Sequence, residues 1–221
     1  NRTENTILIP QVYSHLLVGA TFLENYIICK YDNMGKYYMS IHDYTGKFIR
    51  KFEAPHNMDF QIRFYDEKTN ELFVTFYSYT ISSLNYKLNI TTGANDIYFN
   101  AFIQPKPTLF PFNYFETKTI TYKSRDNKDI PIVIIHKKGI ELNGNNPTLL
   151  RVYGGFGSVS SPNYDTGLLH FLEKGGVYAF AKVRGGGEKG KNWHKEGKGL
   201  KKINSINDFV DAAEFLIREK Y

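Results

Sequence analysis

Cysteine is almost absent from this chain. Cys29 is the only cysteine in 221 residues, so neither an internal disulfide nor a cysteine-ligated zinc site can form. A single cysteine favours a reducing compartment, and we expect a cytoplasmic protein, with the periplasm as the alternative. Long apolar runs are missing too, because no stretch approaches the ~18 residues that a membrane span needs. The sequence begins at Asn1 with neither methionine nor signal peptide, so we expect a segment of a longer protein.

A strong charge of one sign is also lacking. The 28 lysine and arginine residues against 22 acidic residues leave a net charge of +6, which permits nucleic-acid binding but does not require it. Part of the excess lies between residues 182 and 202, where Trp193 is the only interleaved aromatic residue. That pattern favours a solvated basic loop over a phosphate-binding surface. The lysines concerned are Lys195, Lys198, Lys201 and Lys202. We therefore expect no nucleic-acid partner. Binding of nucleic acid would have to show a clear salt dependence.

Aromatic residues are abundant. Tyrosine and phenylalanine occur 17 times each, and both favour strands. Between residue 13 and about residue 104, aromatic and β-branched runs predict strands that include 26–31, 37–41 and 72–77. Two Thr-Gly turns, at Gly46 and Gly93, lie 47 residues apart, a period that suits four-stranded propeller blades. Two blades cannot bury their own faces, so we expect more blades upstream; a plain antiparallel meander is the open alternative.

The pattern changes around Gln104–Pro107, where two prolines predict an extended linker. The elements predicted after it are strands at 117–123 and 130–136 joined by a turn at 124–127, a short buried strand at 149–153, a helix at 163–174 ended by two glycines, and a strand at 177–183. The last strand is almost continuously apolar, as in a parallel sheet covered on both faces.

A final helix is predicted up to Tyr221. Ser205 is expected to cap it, with Asp208 three residues on. One apolar stripe is expected to pack against the sheet: Ile206, Phe209, Val210, Ala213, Leu216 and Ile217. The order strand, glycine turn, helix, strand, glycine turn, helix predicts the opening half of an open α/β sheet. In an α/β-hydrolase the next element would lead into the nucleophile elbow, which this sequence does not contain.

Several familiar motifs fail on inspection. The segment 185–191 fits GxxxxGK, but the next residue is Asn192 where a P-loop needs serine or threonine, so we expect no bound nucleotide. None of the six histidines has metal-ligand spacing, and we expect neither a metal nor another cofactor. The serines of the glycine loop, Ser158, Ser160 and Ser161, lack a nucleophile-elbow context and are interpreted as loop hydroxyls.

The run Tyr153-Gly154-Gly155-Phe156 is a better candidate. A tyrosine at the carboxyl end of a sheet strand points into the crevice where open α/β sheets bind ligands. Its hydroxyl could donate a hydrogen bond to a developing oxyanion, and Phe156 could line an apolar pocket. The glycines Gly154 and Gly155 let the backbone turn closely. A buried structural tyrosine is the alternative that spacing alone leaves open.

These residues carry a family resemblance. The runs Ile132–Ile140, Tyr153–Phe156, Val183–Glu188 and Trp193–Lys195, followed by Asp208–Tyr221, resemble the prolyl oligopeptidase family of serine peptidases. The match is dense from about Phe115 to Tyr221, and it is weaker before that. The resemblance implies the fold class: β plus α/β, with C-terminal blades of a β-propeller followed by the N-terminal half of an α/β-hydrolase domain. The implied domains are 1–107 and 108–221.

The resemblance also implies an activity, which is hydrolysis of short peptides after proline by a Ser-Asp-His triad. By motif match, Tyr153 would supply the side-chain hydroxyl of the oxyanion hole, and Phe156 would line the pocket for the substrate proline. Arg184 and Glu188 would shape the rim of the site. The triad lies downstream in the family, so none of its members can be placed here, and we expect this chain alone to be inactive.

The expected partners are short proline-containing peptides, and the intact enzyme is expected to be a monomer whose other segments complete this fold. A second hypothesis is a non-catalytic peptide-binding module that has lost the triad. The sequence directly after Tyr221 discriminates them, because an in-frame strand followed by GxSxGG supports the enzyme. A third hypothesis, a nucleic-acid-binding protein, ranks below both.

Overall fold

The computed structural model describes residues 7–13, 15–55, 58–97, 110–111 and 113–221. The chain divides into two compact units, one of residues 1–78 and 82–106, the other of residues 79–81 and 107–221. The linker predicted at Gln104–Pro107, and with it the predicted domain boundary at 107/108, lies outside the described residues.

The first unit contains two four-stranded antiparallel sheets. In the first, the strands lie in chain order: Leu16–Phe22 (β1), Ile27–Asn33 (β2), Lys36–His42 (β3) and Phe48–Glu53 (β4). The second has the same order: Asp59–Asp66 (β5), Glu71–Tyr77 (β6), Leu84–Asn89 (β7) and Asn95–Ile97 (β8). The strands predicted at 26–31, 37–41 and 72–77 are thereby confirmed as β2, β3 and β6.

The two Thr-Gly turns occupy equivalent places in these sheets, since each joins the third strand to the fourth. Gly46 and Gly93 have φ angles of +87° and +83°, a region that only glycine adopts without strain. Before each glycine, the side-chain oxygen of Asp43 or Asn89 accepts main-chain N–H groups of the turn at 2.8–3.1 Å. The sequence repeat therefore marks a structural repeat of one four-stranded sheet.

The second unit is built on a single sheet with the order β11-β12-β10-β9. Its strands are Phe115–Lys123 (β9), Asp129–Lys137 (β10), Thr148–Val152 (β11) and Val177–Ala181 (β12). Its helices are Thr166–Glu173 (α1), Lys191–Lys195 (α2) and Lys202–Arg218 (α3), with a 3₁₀ turn at Gly199–Lys201 before α3. The predicted hairpin, glycine-terminated helix and apolar strand are confirmed as β9–β10, α1 and β12.

The continuous apolar runs of β10 and β12 are explained by cover on both faces of the sheet. Ile130, Ile132 and Ile134 of β10 pack in one buried cluster with Phe215 of α3. The alternate residues of the strand, such as Ile135, pack on the other face with Leu172 of α1. Successive side chains of a strand point to opposite faces, so a strand with two covered faces must be apolar at every position.

Strand direction differs from the prediction. β12 runs parallel to β11, as the predicted strand–helix–strand order requires, but antiparallel to β10, so the sheet as a whole is mixed rather than parallel. The connection between β10 and β11, residues 138–147, contains no helix. Parallel strands need a crossover of about a dozen or more residues, whereas this short connection only reverses the chain.

The prediction of a short buried strand at 149–153 is also wrong in burial. β11 is the edge of the described sheet, and Leu149 is 47% exposed. A sheet edge carries unpaired main-chain N–H and C=O groups that sequence periodicity cannot reveal.

The final helix buries a different face from the predicted one. Ser205, Asp208 and Asp211 are buried together with Ala212, Phe215 and Leu216, whereas Ile206, Val210 and Ile217 are exposed. Ser205 does not cap the helix, because α3 begins at Lys202 and the serine lies inside it. The polar residues turn inward because they have partners there, which are described below. No helix in the described part of the chain is long and apolar enough to cross a membrane.

Candidate functional site

Tyr153 directly follows β11 and faces solvent. Its side chain is 54% exposed, and its hydroxyl has no hydrogen-bond partner within the described part of the chain. The ring lies over Gly155, where an added methyl group would meet ring carbon Cε1 at 3.7 Å. The phenol is thus oriented by main-chain packing and keeps a free donor at the carboxyl end of a sheet strand, where ligands of open α/β sheets bind.

Phe156 occupies a strained turn beside Tyr153. The N–H of Ser158 donates to the carbonyl of Gly155 at 3.0 Å, and the two residues between them, Phe156 and Gly157, have φ angles of +54° and +66°. Positive φ at both central positions defines a type I′ turn, which costs a phenylalanine about 1–2 kcal/mol in backbone energy. Phe156 is nevertheless 89% exposed, so no packing within the described residues offsets that cost.

A second glycine turn supports the first. The N–H of Gly157 donates to the carbonyl of Gly185 at 3.0 Å, and that of Gly187 donates to Ser158 at 2.9 Å. The side chain of Glu188 accepts the N–H of Ser160 at 3.3 Å. Gly185 has φ +100° and lies so close to the carbonyl of Gly154 that any side chain would collide with it. The loops 153–161 and 183–190 therefore form one body, and Glu188 lies at their junction.

Arg184 anchors this body to the core of the second unit. Its guanidinium is 2% exposed and forms paired hydrogen bonds with two carboxylates, Asp208 at 2.6 and 3.0 Å and Asp126 at 2.6 and 2.9 Å. Its main-chain N–H also donates to Asp208. Bidentate guanidinium–carboxylate pairs are among the strongest polar contacts in proteins. A buried cation between two carboxylates fixes the main chain at the start of the turn 184–190.

The same network ties the β9–β10 hairpin to α3. Arg125, next to Asp126 in the hairpin turn, donates to Asp211 of α3 at 2.8 and 3.0 Å. The hydroxyl of Tyr122 donates to the main-chain carbonyl of Asp208 at 2.6 Å. These contacts explain why α3 turns its aspartates inward and its isoleucines outward.

The pKa of Asp126 makes this network sensitive to acid. The hydrogen bonds from Arg184 lower the pKa of the Asp126 carboxyl from 3.8 to about 2. A carboxyl with a depressed folded-state pKa contributes stability above its unfolded pKa, and that contribution is lost as the pH falls towards about 2. We expect the urea midpoint to fall between pH 4 and pH 2 and to fall less in Asp126→Asn. If the urea midpoint falls equally with pH in the parent and in Asp126→Asn, the pair of Asp126 and Arg184 is too solvated to contribute to stability.

The sequence identified Arg184, Glu188, Gly154 and Gly155 as candidates but missed the partners of the arginine. From the sequence, Asp126 was predicted to lie in a turn and Asp208 to take part in a helix cap. One signal was available in the sequence. Arg184 directly follows a strand predicted to be buried, and a buried arginine needs carboxylate partners. Nothing in the sequence says which of the 22 acidic residues they are.

The predicted solvated basic loop is confirmed, because Lys195, Lys198, Lys201 and Lys202 are all exposed. Lys201 pairs with Glu196 at the surface. Lys202, although exposed, directs its ammonium to the main-chain carbonyl of Gly154 at 2.5 Å. A residue of the predicted solvated loop thus contacts the loop of the candidate site.

Comparison with known proteins identifies the family of this chain. Residues 162–221 match the prolyl oligopeptidase family of peptidases. The chain is 35% identical over 204 residues to the prolyl endopeptidase of Elizabethkingia meningoseptica, covering 92% of this chain and 27% of that protein. It is 31% identical over 186 residues to the prolyl endopeptidase of Dictyostelium discoideum, covering 83% and 24%.

Solved structures agree with the sequence matches. A prolyl endopeptidase structure superimposes with a TM-score of 0.84 at 29% identity, covering 97% of this chain and 31% of that one. Prolyl oligopeptidase B from Galerina marginata, bound to a 35mer hydrolysis and macrocyclization substrate, gives 0.85 at 25% identity, covering 97% and 30%. The chain belongs to the prolyl oligopeptidase family, and it spans about a quarter of the length of these curated relatives.

Proposed function

We propose that this chain is part of a serine peptidase that hydrolyses short peptides after proline, and that Tyr153 supplies the side-chain donor of its oxyanion hole. The observation that carries the proposal is the free Tyr153 hydroxyl, presented at the end of β11 on a braced main chain. A hydroxyl without a partner among the described residues is available to a substrate oxygen. The bound 35mer in the Galerina marginata relative supports a peptide as substrate.

Phe156 is the proposed contact for the substrate proline. An exposed aromatic residue held at positive φ is costly for the free protein, and strain of this kind concentrates at ligand sites. Gly154 and Gly155 permit the turn, while Arg184 and Glu188 shape the rim from below. These roles follow from the contacts described above together with the family relationship.

The proposed architecture is two C-terminal propeller blades followed by the N-terminal part of an α/β-hydrolase domain, with a boundary near residue 107. Three features support it: two successive four-stranded meanders, an edge strand β11 with open hydrogen-bonding groups, and an apolar outer face on α3. That face consists of Ile203, Ile206, Val210 and Ile217. A protein as long as the relatives would have about three quarters of its residues outside this chain. Those residues would cover the edge of β11 and the outer face of α3, because exposed edges and apolar stripes favour association.

The proposed reaction is acyl transfer. A serine outside this chain attacks the substrate carbonyl while a histidine takes its proton, and negative charge develops on the carbonyl oxygen. Tyr153 donates its hydroxyl proton as a hydrogen bond to that oxygen without transferring it. Donors already in place before the charge develops need little reorganisation, which is how they lower the barrier.

Reassembly tests this proposal. The purified 221-residue chain is expected to release no product from a chromogenic Gly-Pro substrate, because it supplies no nucleophile. Adding the segments that precede and follow it in the gene, as separate chains, is expected to restore turnover in a complex with one copy of each piece. Size-exclusion chromatography with light scattering checks the assembly.

Two results would contradict the proposal. Proline-specific turnover by the chain alone would place a nucleophile within it. A soluble complex of the expected mass that binds a proline peptide without hydrolysing it would favour a binding module. The matched control leaves out the downstream segment. Because the triad is expected in that segment, the mixture without it should stay inactive.

A further inference from the structure

Three main-chain carbonyl oxygens converge below the Tyr153 loop. They belong to Gly154, Arg184 and Gly197, and Lys202 and Ser205 of α3 lie between them. The Lys202 ammonium donates to Gly154 at 2.5 Å and to the Ser205 hydroxyl at 3.3 Å. The Ser205 hydroxyl in turn donates to the carbonyl of Arg184 at 2.5 Å and lies 3.2 Å from that of Gly197.

Converging carbonyls repel one another unless donors lie between them. Each oxygen carries partial negative charge, and the ammonium with its three N–H groups is the strongest donor in this cluster. Within this cluster, the contact made by Lys202 is the one that reaches the Tyr153 loop, because Gly154 is covalently next to Tyr153. Gly154 itself has φ +56°, and a side chain added there would collide with Val183, so this position of the loop requires glycine.

Lys202 is poorly placed for the stability of its own helix. It is the first residue of α3, no acidic residue lies in the first turn, and the preceding residue provides no side-chain cap. A cation at a helix N-terminus interacts unfavourably with the helix dipole. A residue that breaks a local rule while contacting a functional loop is expected to serve that loop.

We propose that Lys202 is a positioning residue of the peptidase: its ammonium holds the carbonyl of Gly154 and thereby fixes the direction in which Tyr153 presents its hydroxyl. This inference rests on the proposed role of Tyr153. Lys202 does not contact substrate, so it acts on the chemical step only through the backbone next to the tyrosine. Misplacement of a reacting group by about 1 Å can cost a factor of 10² in rate.

The first test uses the chain alone and needs no activity. Lys202→Met keeps the length of the side chain and removes the ammonium. The N–H groups of Gly157 and Ser158 donate to the carbonyls of Gly185 and Gly155. We expect exchange of these two amides to accelerate by about tenfold, while the amides in the middle of α3 keep their protection. Lys202→Arg is expected to restore protection, and Lys201→Met, which removes a surface partner of Glu196, is expected to leave it unchanged.

The second test uses the reassembled peptidase. We expect Lys202→Met to lower kcat by roughly 10–100-fold with KM within about threefold, and Lys202→Arg to recover most of the loss. In a Tyr153→Phe background the same substitution should change kcat by less than about threefold, since residues that act through one another are not additive. If the lysine were purely structural, Lys202→Met would lower kcat by the same factor in the parent and in the Tyr153→Phe background.

Each outcome is decisive. If Tyr153→Phe lowers kcat and Lys202→Met does not, Lys202 has no positioning role and the proposed function stands. If Tyr153→Phe itself leaves kcat unchanged, the proposed oxyanion role fails. Faster exchange throughout α3 in Lys202→Met would assign the lysine to helix stability and overturn this inference, as would a failure of the methionine variant to fold while the arginine variant folds.

Discussion

Replacing Tyr153 with phenylalanine in the reassembled peptidase is expected to lower kcat by about 10²–10³-fold while KM changes by less than about threefold. The substitution removes one oxygen atom. The ring still packs over Gly155, and the hydroxyl has no partner in the described residues whose loss would destabilise the fold. The lost hydrogen bond is one made fully only when charge develops on the substrate oxygen, so the effect falls on kcat.

Tyr44→Phe is the matched control for this experiment. Tyr44 is 50% exposed, close to the exposure of Tyr153, and it belongs to the first unit, where its hydroxyl donates to the carbonyl of Leu23. Its replacement should leave kcat unchanged. Steady-state assays with a Gly-Pro chromogenic substrate measure both variants. A kcat of Tyr153→Phe equal to that of the parent would remove Tyr153 from the oxyanion hole.

The second large effect concerns stability. Asp208→Ala is expected to lower the free energy of unfolding of the second unit by about 3–5 kcal/mol. Asp208 is 0% exposed and pairs with Arg184, so its removal leaves a buried guanidinium with one of its two carboxylates. Small domains are stable by only about 5–15 kcal/mol in total, so the variant should lose a large share of its stability and unfold at a much lower urea concentration. Urea denaturation followed by far-ultraviolet circular dichroism measures the change.

Glu219→Ala provides the control, because Glu219 pairs with Arg218 at the surface, where the two side chains are 47% and 68% exposed. Surface pairs contribute about 0–1 kcal/mol, so this variant should unfold near the midpoint of the parent. An Asp208→Ala protein as stable as the Glu219→Ala protein would mean that Asp126 alone satisfies Arg184.

Elements governed by local rules were predictable from the sequence. β10 is apolar from Ile130 to Ile135 and β12 has no charged residue, and both strands are covered on two faces. Gly175 ends α1 at a φ angle of +89°, and Gly46 and Gly93 mark equivalent turns. In each case the residue type itself dictates the local conformation, so no knowledge of distant partners was needed.

Features that depend on distant partners were not predictable. Hydrophobic periodicity treats aspartate as an outward residue, so it chose the wrong face of α3. Asp208 and Asp211 turn inward because Arg184 and Arg125 meet them there. The edge position of β11 depends on which strands pair, and that choice is made by the whole sheet.

The candidate site likewise contains features set by the local sequence and features set by distant partners. The motif containing Tyr153 and Phe156 was visible because glycines flank it, and the free hydroxyl and the strained turn are properties of that local run. The bracing by Lys202 and Ser205 crosses 48 and 21 residues of sequence to reach its carbonyl partners. A single sequence carries no sign of such contacts, since a lysine in a basic loop has the same local pattern whether or not it binds a carbonyl.

The strand order of the second unit has a consequence for synthesis on the ribosome. β12 lies between β10 and β11 although it is made after both, so β11 emerges unpaired and β10 is paired on one side only, with β9. At roughly 5–20 residues per second, translation of residues 138–176 leaves the inner edge of β10 open for about 2–8 s. An apolar edge exposed for that time can capture another nascent chain. This interval, rather than any property of the finished molecule, is where a chaperone would have the most to protect.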